Sequence, residues 1–207
     1  MRPSYNLVAG RSTERLAALS DGIFGVGMTL LVLDLRTPLA EAIHGEHELR
    51  HALLATLPQL VMYMMSFLTL GIFWVGQQTQ LNHVEKSDRH LAWINLGFLF
   101  FVTLLPFSTK LLAEFYTYRT ALVAYWLNIL LLGSGLYASW GYAFRHHLLK
   151  EDTPAGLAKA VCRRIQFAQA LYAFGAALCI FDTRLSIGFI VLVQLFYVIG
   201  PDFRPAR

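Results

Sequence analysis

Six stretches of this chain are long and apolar enough to cross a bilayer, and the first of them carries an aspartate inside it. A membrane helix needs about 20 mostly apolar residues. The runs cover residues 16–33, 52–83, 91–109, 120–144, 165–181 and 185–200. No water reaches the hydrocarbon region, so each run must satisfy its own backbone N–H and C=O groups, which a helix does and an open strand cannot. The pattern predicts an all-α, polytopic protein of six transmembrane helices, forming one domain over residues 1–207. Composition agrees: 56% of the 207 residues are hydrophobic and 14% are charged, against roughly 25% charged in soluble domains. An ordinary soluble enzyme, a disordered chain and a disulfide-stapled secreted module are excluded on that ground.

The net charge of +4 could suggest nucleic acid, but no basic stripe interleaved with aromatics occurs. Its distribution fits a membrane instead. With the N-terminus inside, the inside flanks hold Arg2, Arg11, Arg15, Lys86, Arg89, Arg145, Lys150, Lys159, Arg163, Arg164, Arg204 and Arg207. The outside flanks hold Arg36, Arg50, Lys110, Arg119 and Arg184. Twelve against five predicts both termini in the cytoplasm and a multi-pass protein of the cell membrane. The first residues lack an apolar core before Arg11 and Arg15, so a cleavable signal peptide is not expected. Cys162 falls in a basic loop and Cys179 in an apolar run, a poor basis for a disulfide.

Charge inside a span costs at least about 2.5–3.5 kcal/mol at its centre, so Asp21 needs a partner or water. Arg15 lies six residues earlier, roughly 9 Å along the axis and about 240° round it, too far round to pair within one helix. The third run enters from the same side with Asn95, and the second arrives there with Gln77, Gln78, Gln80, Asn82 and His83, beyond Trp74. The expectation is one buried polar cluster of Ser20, Asp21, Asn95 and a glutamine or histidine. It would serve as interhelical glue, as part of an ion relay, or in an enzyme.

The upper part of the first run carries Gly22, Gly25 and Gly27, which predict close helix packing. At about 100° per residue, Gly22, Val26, Thr29 and Leu33 share a narrow arc with Ile23 and Leu30 at its edge. Arranged round a symmetry axis, such a stripe would form apolar constrictions with a ring of hydroxyls between them, able to gate by dewetting. Ordinary packing is the other reading of the same periodicity.

The segment Arg15-x-x-x-Leu19-Ser20-Asp21, followed by Gly-Ile-x-x-x-x-Met-Thr-Leu-Leu-Val-Leu-Asp, resembles the first-helix signature of bacterial relatives of the endolysosomal potassium channel transmembrane protein 175, whose pattern is Arg-x-x-x-Phe-Ser-Asp. Trp74, Asn82-His83, Asn95-Leu96 and Pro106-Phe107-Ser108-Thr109 resemble the family's second and third helices. The resemblance implies a homotetramer of six-helix subunits whose first helices surround the axis, permeable to K⁺, with no cofactor and no re-entrant pore loop. It implies Thr29 as the selectivity hydroxyl and Ile23, Val26, Leu30 and Leu33 as candidates for the apolar gate. Arg15, Ser20 and Asp21 become the motif cluster, supported by Trp74, His83 and Asn95. Leu19 departs from the pattern's Phe, which bears on helix docking more than on ion chemistry.

Other motifs are weaker. The Thr-Val-Gly-Tyr-Gly filter is absent, and Gly133-Ser-Gly-Leu-Tyr137 lies inside a long span, where small residues serve packing. His44, His47 and His51 have spacing that could hold zinc on a helix, although a solvated cluster explains them equally. No nucleotide loop, nucleophile elbow or zinc-protease motif occurs, so an enzyme is not expected. The alternative to a channel is a small secondary transporter or proton-coupled carrier using Asp21 and His83.

Overall fold

In the computed structural model, residues 12–35, 37–154 and 156–200 are described. Arg2, Arg11, Arg36, Arg204 and Arg207, which enter the charge count, lie outside them, as do both termini. Every extended element among the described residues is a helix, as predicted: α1 (Thr13–Val32), α2 (Glu46–Ala55), α3 (Leu57–His83), α4 (Arg89–Thr103), α5 (Leu105–Glu114), α6 (Arg119–Arg145), α7 (Leu157–Ala177) and α8 (Thr183–Ile199). Short 3₁₀ turns, Ala40–Ala42 and Leu178–Ile180, lie between α1 and α2 and directly after α7.

Four units are long and apolar enough to span a membrane: α1, α3, the α4–α5 pair as one 26-residue unit, and α6. Helix α8 is apolar but has 17 residues. Helix α7 has 21 residues, and Lys159, Arg163 and Arg164 fall in its first half. The six expected runs thus map onto four strong spans, one basic-ended helix and one short one.

Helix boundaries follow local chemistry. Ser12 caps α1 by accepting a hydrogen bond from Arg15 N at 3.2 Å, and Asp88 caps α4 by accepting from Leu91 N at 2.8 Å. Such caps satisfy N–H groups that have no partner in the first turn. The run expected to be continuous from 52 to 83 breaks at Thr56, ahead of Pro58 at the start of α3. The helix of the third run extends past residue 109 to Glu114, with a break at Leu104 ahead of Pro106. Proline lacks the N–H that would continue the ladder, so both breaks fall where it enters a first turn. Asp182 starts α8 by accepting from Arg184 N at 2.6 Å, and Gly200 ends it with a left-handed φ of 52°.

The helices alternate in direction, and polar ties mark the two ends. At one end Glu85 N donates to Leu148 O and Lys150 N to His83 O, each at 2.9 Å, joining the tails of α3 and α6. Tyr142 Oη donates to Asp88 Oδ2 at 2.8 Å, bringing in the start of α4. At the other end Lys110 pairs with Asp34 at 3.6 Å, and Arg119 Nη2 donates to Ile180 O at 2.9 Å.

α1 lies against α3 and α4, α6 against α4, α5 and α7, and α8 closes back onto α3. Phe24, Leu31, Leu70, Phe98, Val102 and Ile129 belong to the central cluster. Apolar burial between helices gives little in lipid, because acyl chains are as apolar as leucine; close fit and hydrogen bonds hold such bundles. Gly133 illustrates the fit: a Cβ there would overlap the Gln169 amide of α7. Gly135 packs on Phe98, whose Cβ would lie 3.0 Å from a Cβ at that position. The first-helix glycines divide. Gly27 faces Leu70 and Val102, but Gly22 and Gly25 have no atom within 4 Å of an added Cβ, so the close packing expected of all three holds within the protomer for Gly27 alone.

Candidate functional site on the first helix

α1 has two unlike faces. Leu16, Ser20, Phe24, Gly27 and Leu31 are buried against the protomer. On the other side Leu19, Val26, Leu30 and Leu33 are exposed, Val26 by 58% and Leu33 by 74%. Ile23 is half-buried, while Gly22 and Thr29 are exposed. This exposed face and the break near Pro106 enclose an open recess of about 360 Å³, lined by Leu19, Gly22, Ile23, Val26, Leu30 and Thr103 among others.

The Thr29 hydroxyl lies within hydrogen-bond distance of Gly25 O (3.0 Å) and Val26 O (2.9 Å). Its single proton is thus turned into its own helix, leaving the oxygen lone pairs as what the side chain can offer outward.

Below this stripe, Asp21 is held by α3. Oδ1 accepts from Trp74 Nε1 at 2.8 Å and from Gln78 Nε2 at 2.6 Å. Trp74 and Gln78 are one turn apart, so both reach the same carboxylate oxygen. Gln77, the next residue round, points to α4, where its Nε2 donates to Asn95 Oδ1 at 3.3 Å. Adjacent glutamines thus bind α3 to two different helices.

The single buried cluster expected from the sequence is divided. Asp21 is exposed and bonded to Trp74 and Gln78. Ser20 is fully buried, and its hydroxyl donates to Leu16 O of its own helix at 2.8 Å. Asn95 meets Gln77, and its amide also donates to Leu91 O at 3.0 Å. His83 contacts Thr79 O through Nδ1 at 2.8 Å and sets its ring edge-on to Trp140 at 6.3 Å. Arg15 is exposed at the start of α1. One helix cannot aim residues 20 and 21 at the same partner, because successive side chains diverge by about 100°.

The outer histidines do not converge. His47 and His51 lie ring to ring at 4.5 Å on α2, whereas His44 precedes that helix and its N–H donates to Glu48 at 2.5 Å. Among the described residues no three His, Cys, Asp or Glu side chains form a metal-holding group. Both cysteines are free thiols; burial pushes the Cys162 thiol up, with the Arg145 charge pulling the other way.

A second polar set was not anticipated. Deep between α3, α5, α6 and α8, Thr109 Oγ1 donates to Ser66 Oγ at 2.6 Å, and Ser66 donates to Tyr125 Oη at 3.3 Å. Tyr125 lies 3.0 Å from Thr69 Oγ1, which also accepts from Gln194 Nε2 at 2.7 Å. All five residues are buried, none more than 4% exposed. The signal lay in lone hydroxyl and amide residues within apolar runs, which periodicity alone does not join across helices.

Comparison with known proteins adds a family to this geometry. A family model described as "Endosomal/lysosomal potassium channel TMEM175" matches residues 15–106. A potassium channel of Streptomyces collinus is 31% identical over 188 residues, covering 88% of this chain and 90% of its own. The rat endosomal/lysosomal proton channel TMEM175 is 27% identical over 190 residues, 91% of this chain but 37% of the rat protein. The crystal structure of a lysosomal potassium-selective channel TMEM175 homolog from Chamaesiphon minutus superposes with a TM-score of 0.76 at 26% identity, covering 90% of this chain and 96% of that one.

Proposed function

The chain belongs to the TMEM175 family, a non-enzymatic family of multi-pass membrane proteins, and we propose that it is a potassium-permeable channel in which four α1 helices surround the path. The observation that carries the reading is the contrast between the two faces of α1. One is buried and tied to α3 through Asp21; the other presents Val26, Leu30 and Leu33 outward.

One subunit of this size cannot enclose an ion path by a single helix face, so the path requires several copies. Around a fourfold axis Ile23, Val26, Leu30 and Leu33 form apolar rings that exclude water when narrow and admit it when the helices part. Thr29 lies between the rings. Its proton is engaged by Gly25 and Val26 carbonyls, so it presents oxygen lone pairs to a partly dehydrated cation. That gives a preference for K⁺ over Na⁺ without a carbonyl filter or re-entrant loop. Gly133-Ser-Gly-Leu-Tyr137 supports this, since it lies within α6 and its glycines pack on Gln169 and Phe98.

Asp21, Trp74 and Gln78 fix the rotation and tilt of α1 relative to α3; Ser20 and Arg15 complete the motif on the same helix. Asn95 and Gln77 hold α4 to α3 beside it. His83, tied to Thr79 and Trp140, supports the end of α3 and gives no support to the carrier reading that pairs it with Asp21. In this arrangement each subunit crosses the membrane six times, α7 and α8 forming the last hairpin. The end carrying Arg15, Lys86, Arg145, Lys150 and Arg163 faces the cytoplasm of a bacterial cell, as the charge bias predicts.

Purified protein in K⁺-loaded liposomes tests the proposal. Cation flux that rises when Val26, Leu30 or Leu33 is replaced by serine is the expected result. Flux indifferent to every such substitution, or absent altogether, would overturn it.

A further inference from the structure

A cavity of about 770 Å³ opens beside α1, between α1, α3, α7 and α8. Its size falls in the range of about 300–1,000 Å³ typical of small-molecule sites. Phe24 and Met28 of α1 and Phe67 and Ile72 of α3 line it. Gly25 and Gly71 also line it, and neither would bring a Cβ within 4 Å of any atom. The missing side chains of these two glycines, one of them on α1, thus add to the space.

Its polarity is graded. Lining residues on α3 run from Phe67 to Gln80, roughly 20 Å at 1.5 Å per residue. Phe67 and Met28 mark the apolar depth. Arg164 belongs to the other end, where α7 begins and α8 ends, and its guanidinium stands 5.8 Å from the centre of the Tyr197 ring. No carboxylate of the described residues is in ion-pair contact with it. Asp21, also on the wall, already accepts from Trp74 and Gln78. Gln80 lines this same end, but its side-chain oxygen is sealed from the space, so Arg164 is the polar group the cavity offers there.

An apolar slot with a guanidinium at its rim, unpaired with any carboxylate among the described residues, matches an amphiphile whose head is anionic. We propose that the cavity binds an anionic phospholipid, with one acyl chain between α1 and α3 and its phosphate at Arg164. Lys159 and Arg163, on the same turns of α7, add to the attraction of an anionic head. The lipid would touch Phe24, Gly25 and Met28, on a flank of α1 beside the outward stripe, and so bias its position from the side.

Native mass spectrometry of the delipidated full-length protein, titrated with phosphatidylglycerol or phosphatidylcholine, tests this without any current, so it stands or falls apart from the conduction reading. Phosphatidylglycerol should be retained about fivefold over phosphatidylcholine, the ratio expected of one basic side chain near a lipid head. Arg164→Ala should bring the two to parity and Arg164→Lys should keep the preference. Gly71→Leu should displace both lipids; Ala168→Leu on the opposite wall serves the same end should Gly71→Leu not fold. A preference unchanged in Arg164→Ala, or lipid retained when the cavity is filled, overturns the proposal. So does efficient disulfide cross-linking of Ala168→Cys between subunits, which would show a second copy in that space.

Discussion

The indole nitrogen of Trp74 donates to Asp21 Oδ1 at 2.8 Å, across the interface of α1 and α3. Gln78 donates to the same oxygen at 2.6 Å, so one carboxylate oxygen carries two interhelical bonds. Hydrogen bonds to charged groups contribute roughly 1.5–3 kcal/mol, but Asp21 is exposed, and solvent reduces this to about 1 kcal/mol each. Trp74→Phe should therefore lower stability by about 1 kcal/mol and Asp21→Ala by about twice that. Asp21→Asn, which keeps an acceptor oxygen, should fall between wild type and Asp21→Ala. Thermal unfolding in detergent measures the series, and an Asp21→Ala protein as stable as wild type would remove the anchoring role.

In the proposed pore, Thr29 is separable from the apolar rings because its proton is engaged within α1. Thr29→Ser keeps the oxygen and should preserve the K⁺/Na⁺ permeability ratio. Thr29→Val keeps the shape but loses the oxygen, and should lower that ratio by about fivefold, equivalent to about 1 kcal/mol. Reversal potentials in bi-ionic solutions read this directly. A ratio unchanged in Thr29→Val would place selectivity elsewhere.

Glycines in similar contexts should respond in opposite ways. Gly133→Ala drives a methyl group into the Gln169 amide, which must swing off Ile129 O, and losing that bond costs about 1 kcal/mol. Gly22→Ala meets nothing within the protomer, so the subunit should fold normally and any defect should appear in assembly. Melting temperature together with the mass of the detergent particle distinguishes the two. A Gly22→Ala protomer less stable than Gly133→Ala would contradict the packing described above.

Much of this arrangement was legible before any coordinates. The helical class follows from apolar runs that leave the backbone no partner but itself. The 3.6-residue period of α1 gave the stripe but not its side, since ordinary packing has the same period; only the fold shows it turned outward from the protomer. The anchoring of Asp21 was legible in depth and in residue type, a glutamine, but not in which glutamine or in the Trp74 indole. Axial rise places Asp21, Asn95, Gln77 and Gln78 at one level, whereas rotation about α3 decides that Gln78 meets α1 and Gln77 meets α4. The breaks at Thr56 and Leu104 were signalled by Pro58 and Pro106, but a run of apolar letters conceals them. Least visible was the buried hydroxyl set, because Ser66, Thr109, Tyr125 and Gln194 lie in four separate runs and only tertiary packing unites them.

That set supports the last prediction. Thr69 Oγ1 lies 2.9 Å from Met65 O, so its own proton is engaged within α3 and Tyr125 is the donor in their contact. Tyr125 thus accepts from Ser66 and donates to Thr69, and Tyr125→Phe leaves both hydroxyls with one fewer partner in a site that water does not reach. An unsatisfied buried group costs about 1–3 kcal/mol, but interhelical hydrogen bonds within membranes average nearer 0.6 kcal/mol. With two bonds lost, the expected destabilisation is about 1 kcal/mol. Ser66→Ala removes one of the same bonds, so the double variant should be less destabilised than the sum of the single ones, by about 0.5 kcal/mol or more. Strict additivity in a double-mutant cycle would mean that the two hydroxyls, though 3.3 Å apart, contribute independently, and the network would be reduced to packing.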